Sequence, residues 1–201
     1  IKRQEYLDKN IFNVLLCKQA VKDAIIKAGN ISLLASSFDL SEIVASTSAF
    51  AIKNILQEIQ KDFDYCIIDH GPNFSQLNEA GLFASDIVII PTLPDIEGFE
   101  QTEWSIKKIL RVAPSAKMKI IINQFKGEHP GKLERELLEM FGPVLDGKLL
   151  KSSIPSTKLI RRYTATGEKI SNTAKGKAAF LNRFTDFVNE ITGKKYQIET
   201  F

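Results

Sequence analysis

The sequence has 201 residues, 44% of them hydrophobic and 25% charged, which is enough apolar content for one sizeable core in a single domain spanning residues 1–201. A net charge of +3 and a pI near 8.8 permit a nucleic-acid partner without demanding one. Only two cysteines are present, Cys17 and Cys66; their separation excludes a disulfide framework and offers no metal-type spacing, and no run reads as a membrane span or signal peptide.

In chain order, residues 1 to 16 read as an arm leading into a helix near Cys17 to Ala28, stopped by Gly29 and Asn30. Ile31 to Ala35 is a short strand candidate. From Leu40, the apolar positions Ile43, Val44, Ala51, Ile55 and Ile59 recur at helical spacing and predict one long helix. Phe63 to Pro72, FDYCIIDHGP, then reads as a buried strand that ends on one acid, Asp69, before the turn formers Gly71 and Pro72. A helix around Gln76 to Ala84, a strand over Asp86 to Ile90, a helix over Glu97 to Val112 and a strand over Met118 to Ile122 follow. Leu133, Leu137, Met140 and Phe141 mark another amphipathic helix, Leu149 to Ile154 a strand, and Phe180 to Ile191 the apolar stripe of the last helix. Apolar strands separated by helices predict an α/β fold, a parallel sheet covered on both faces.

An apolar strand ending in Asp is the Walker B arrangement, in which the carboxylate holds magnesium against nucleotide phosphates. The same pattern also arises where Asp merely caps a helix or closes a loop. Lys158, Arg161 and Arg162 lie at helical spacing after Pro155, with Lys169, Lys175, Lys177 and Arg183 beyond; such cations bind phosphate backbones without reading bases, or form only a solvated face. GPVLDGK, Gly142 to Lys148, has the spacing of a phosphate loop, yet Leu149 stands where Ser or Thr is needed. It also follows a helix and precedes a strand, the reverse of the order that points amides at an anion, so it is rejected.

The run from Phe63 through Leu110, together with ISLLASSFDLSE and KSSIPSTKLIRRYTATGEKI, resembles the ParA/MinD-type ATPases, the deviant Walker class of P-loop NTPases, and within it the ParA partition branch. The resemblance covers nearly the whole chain. It implies ATP and Mg2+ as cofactors, with Asp69 as the metal-holding catalytic carboxylate and His70, Gly71, Pro72 and Asn73 as a nucleotide-sensing switch loop. It implies that Asn123, Pro155 and Ser156 contact adenine, although Asn123 can equally turn the chain and Pro155 end a strand. It implies a DNA surface including Lys158, Arg161 and Arg162. The protein so implied is cytoplasmic and nucleoid-associated, coats nonspecific DNA as an ATP-bound homodimer, and is released when a cargo-bound ParB-like or adaptor partner stimulates hydrolysis.

Two departures stand out. Gly71 occupies a position where the family more often has the first of two prolines, which loosens the expected switch. No KGGxGK[ST] loop occurs, so the chain is expected to begin inside a longer protein, past its P-loop; the alternative is a nonenzymatic DNA-binding or adaptor module with a degenerate nucleotide site. GKKYQIETF is too short and polar for a MinD-like membrane helix, and two scattered cysteines do not suit a nitrogenase-iron-protein relative.

Overall fold

A computed structural model describes residues 7–43, 46–125, 131–160 and 176–198. It divides into two compact units, Ile1–Asp86 with Val112–Ala116, and Ile87–Arg111 with Lys117–Phe201.

In the first unit, helix α1 spans Ile11–Leu15 and is capped by Asn10, whose side chain accepts from Asn13 N at 3.0 Å. The helix predicted over Cys17 to Ala28 does not form. Cys17 takes a left-handed φ of 55°, which ends the first turn, and only α2, Val21–Ala24, is helical before strand β1, Ile26–Ala28. β1 pairs antiparallel with β2, Ile31–Leu33, Ala28 opposite Ile31. Gly29 supplies the positive φ of 61° that the tight turn requires. The long helix predicted from Leu40 is likewise two pieces, α3 at Leu40–Ile43 and α4 at Ala51–Ile59. Hydroxyls compete with the helical ladder between them: Ser46 Oγ and Thr47 Oγ1 both donate to Ile43 O, at 3.1 and 2.8 Å, and Ser48 Oγ accepts from Phe50 N. Helix α5, Gln76–Ala84, matches its predicted bounds and is capped by Ser75. Val21, Ile52, Ile55, Ile59 and Ala80 form this unit's buried cluster.

The predicted strand at Phe63 to Asp69 is the main correction. Residues 63–71 carry no strand ladder, and Ile67 is 92% exposed, with Phe63 and Tyr65 also open to solvent. A buried parallel strand needs hydrogen-bonded neighbours on its edges. Among the described residues the unit's only ladder is the β1–β2 hairpin, so this apolar run has no strand to join.

The second unit holds a parallel sheet in the order β3-β4-β5: Ile87–Thr92, Lys117–Asn123 and Leu149–Ile154. Helix α6, Ile96–Val112, connects β3 to β4, and α7, Lys132–Leu145, precedes β5; the last helix, α8, is Lys177–Thr192. Central β4 buries Met118, Ile120, Ile121 and Ile122 in the continuous manner of an inner strand. Edge strand β3 instead alternates, burying Val88, Ile90 and Thr92 while Ile87, Ile89 and Pro91 stay exposed, so double coverage holds for β4 and not for β3. Phe99 of α6 stacks on Phe141 of α7 at 5.2 Å. The rejected GPVLDGK segment is the end of α7 followed by a left-handed turn at Gly147, which agrees with its rejection.

β5 is bulged. Ile120 faces Leu149, while Ile122, two residues on, faces Ser153, four residues on. Within the bulge, Lys151 N and Ser152 N donate to the two oxygens of Glu190 on α8, at 2.8 and 2.9 Å, and Ser152 Oγ donates at 2.8 Å. Partial desolvation alone raises the Glu190 pKa, but the bonds from Lys151 and Ser152 and the charge of Lys119 outweigh it and hold the carboxyl below its usual value.

Candidate functional site

The predicted site residues are distributed over both units. In the first, Asp69 is exposed at the end of the unladdered run and opens a loop that leads into α5. Ser75 ends this loop as the helix cap, its hydroxyl accepting from Asn78 N at 3.2 Å. Asn78 then reaches back: its side-chain Nδ2 donates to Gly71 O at 3.1 Å and to Asn73 O. His70 lies over Gly81, where an added Cβ would stand 2.6 Å from His70 Cε1. Partial burial pulls the His70 pKa below its ordinary value, opposed by the neighbouring Asp69 carboxylate and the Asn78 side chain. Pro72 and Asn73 are exposed. Cys66 is exposed, yet the surrounding protein partly desolvates its thiol and pushes the pKa up, away from the thiolate that chemistry would need.

In the second unit, Asn123 ends β4 opposite Ile154 of β5, and Phe125 N donates to Ile154 O at 3.1 Å. This register brings Asn123 and Pro155 to the adjacent C-terminal ends of two parallel strands, the edge where open α/β sheets bind ligands. Gln124 adopts a left-handed φ of 57°, and its N–H donates to Asn123 Oδ1 at 3.0 Å, so Asn123 does turn the chain. Ser156 is exposed, and Lys158 is exposed within a helical turn at 158–160, where Leu159 N donates to Thr157 Oγ1. Arg161 and Arg162 lie outside the described residues, as do Lys169 and Lys175. A concavity of about 440 Å³ in the first unit is lined by residues of α1, of the α1–α2 connection and of α4, including Val14, Gln19 and Ile55, and touches none of the predicted residues.

Comparison with known proteins decides the family. A family profile described as an AAA domain matches residues 1–122, more than half of the chain. An uncharacterised protein of Methanocaldococcus jannaschii is 31% identical over 192 residues, 87% of this chain and 70% of that protein. A ParA family protein of Chlamydia muridarum is 26% identical over 126 residues, 61% of this chain and 49% of that protein. The chain belongs to the ParA/MinD-type ATPases.

Solved structures agree on the fold. Cyanothece apo McdA superposes with a TM-score of 0.78 at 18% identity, covering 91% of this chain and 77% of the other. A putative plasmid partition protein of Borrelia burgdorferi bound to AMPPNP gives 0.72 at 20%, covering 91% and 75%. For a ParA/MinD-type chain, Asn78 and Gly81 are the residues that sequence reasoning missed. The pattern Ser75-x-x-Asn78 signals a cap, and a glycine inside a helix signals close approach, but neither names the loop that is held.

Proposed function

We propose that this chain is the body of a single-domain ParA-type ATPase that positions DNA or other cargo. The observation that carries the proposal is Asp69, an exposed carboxylate at the head of a loop tied back to a core helix. The donor set suits Mg2+, which takes one or two carboxylates and fills its remaining positions with phosphate and water. Among the described residues, no group of three His, Cys, Asp or Glu forms an all-protein metal cage, which is consistent with that mode of binding. When bound, Mg2+–ATP supplies the scissile phosphoryl group and the charge that organises it.

The residues of this chain have assigned tasks. Asp69 holds the metal, and the loop over residues 70 to 73 senses the nucleotide. Pro155 and Ser156 border the adenine. Asn123 meets its edge through the amide N–H2, since its oxygen already accepts from Gln124 N. Lys158, Arg161 and Arg162 contact DNA phosphates in the ATP-bound homodimer, and a cargo-bound partner stimulates hydrolysis to release it in the cytoplasm. Among the described residues, no helix is long and apolar enough to cross a membrane. Hydrolysis also requires a phosphate loop, which the 201 residues do not contain, so the proposal concerns a full-length protein that carries one.

The test measures ATP hydrolysis and salt-dependent DNA binding by the full-length protein. ATP-dependent DNA binding that is lost on charge reversal at Arg161 and Arg162, with ATP affinity unchanged, is expected. The missing phosphate-loop motif favours a second reading, a nonenzymatic DNA-binding or adaptor module; DNA binding indifferent to ATP, with no hydrolysis, would establish it instead.

A further inference from the structure

The loop after Asp69 begins with a conformational liability. Gly71 leaves its backbone less restricted than proline would, and Gly71, Pro72 and Asn73 are all exposed, so burial does not hold them. The contacts that do hold the loop converge on one residue. Asn78 is fixed first as a helix residue, its N–H donating to the Ser75 cap. Its side chain has two amide protons and one oxygen. Nδ2 donates to both Gly71 O and Asn73 O. Asn73 O also accepts from Ser75 N at 3.1 Å.

Beneath this sits α5, an anchored reference. Ala80 and Leu82 are buried, and Phe83 packs edge-on against Phe50 at 5.0 Å with Lys53 over its ring at 5.2 Å. Gly81 leaves room for His70: a Cβ there would also meet Nε2 at 3.2 Å and Ile68 Cγ2 at 3.4 Å. One helix thus grips both ends of the turn, through Asn78 at residues 71 and 73 and through Gly81 at residue 70.

We infer that Asn78, seated by α5, is the positioning residue of the switch loop, with Gly81 as the socket that receives His70. Together they replace the stiffness a second proline would give, so that movement of the loop and movement of the α5 N-terminus are one event. The inference rests on the ATPase reading for its catalytic consequence, and its geometric part stands without it.

Two variants of the full-length protein test it. Asn78→Asp keeps the shape and removes both amide donors, turning a carboxylate toward two carbonyls. Gly81→Ala favours the helix itself while its methyl displaces His70, so it remains informative if the first variant does not fold. Amide hydrogen exchange over residues 69–75 without nucleotide is expected to quicken by about tenfold or more in each variant, with residues 117–123 unchanged. In steady-state hydrolysis, kcat is expected to fall about tenfold while the KM for ATP stays within about twofold, because the loop acts on the reacting geometry and not on ground-state binding. Unchanged loop exchange, or a rise in KM alone, overturns the inference. If the unmodified full-length protein hydrolyses no ATP, the proposed function fails, and the exchange measurement still decides whether Asn78 and Gly81 hold the loop.

Discussion

Replacing Glu190 with Gln isolates the tie between α8 and the β5 bulge. The wild-type carboxylate accepts three hydrogen bonds, from Lys151 N, Ser152 N and Ser152 Oγ; the amide keeps one oxygen and turns an N–H2 group toward one of the backbone donors. A neutral hydrogen bond contributes about 1 kcal/mol and one to a charged group about twice that. Glu190 is exposed, so solvent screening removes much of the charged increment, and the net loss comes to about 2 kcal/mol. For a chain of this length that lowers Tm by about 4–8 °C. The sign with pH follows from the depressed carboxyl pKa. Its stabilisation is complete above the unfolded value and is lost as pH falls through the folded one. Thermal unfolding of the wild type and E190Q in parallel should therefore show their widest gap near pH 7, closing below about pH 4. Equal stability at neutral pH, or a gap that widens on acidification, would refute the reasoning.

Three further predictions use other parts of the structure. Asp69→Asn in the full-length protein should reduce Mg2+-dependent hydrolysis about a hundredfold or more, while Tm stays within about 2 °C because the side chain is exposed; kinetics and calorimetry on one preparation check both. Gly98→Ala should destabilise although Gly98 lies in a helix, because a Cβ there would stand 2.5 Å from Leu93 O. Urea midpoints should show a loss of about 1–3 kcal/mol. Ile120→Ala, at a fully buried position of the central strand, should cost about 2–5 kcal/mol in the same assay.

The sequence was most legible where local pattern and tertiary demand coincide. MKIII, flanked by helical patterns, could be placed as a strand because Met118 and Ile120 to Ile122 are buried. The helix expected around Gln76 to Ala84 formed with those bounds. The sequence was misleading where a local feature overrode periodicity. Cys17 has no residue type that announces a left-handed backbone, and Gly29-Asn30 was read as a helix stop when its apolar flanks make it a hairpin turn. The run YCII carries a strand's composition, but ladder formation depends on neighbours that composition does not encode. At the candidate site, the strand that ends on Asn123 was legible because its apolar run is ladder-paired, whereas the strand expected to end on Asp69 does not form. Asn78 was not legible, since a reach of seven residues back to Gly71 O depends on how the loop folds over the helix.

The unladdered run at residues 63–69 also bears on solubility. Phe63, Tyr65 and Ile67 are open to solvent in a run of high β-propensity with no proline and no ladder of its own, the features of a segment that recruits a copy of itself. Asp62, Asp64 and Asp69 bracket it, and stacking identical chains in register would bring like carboxylates together at each layer. Charge placed this way opposes in-register pairing of the run with a copy of itself, so neutralising Asp64 and Asp69 together is expected to lower solubility.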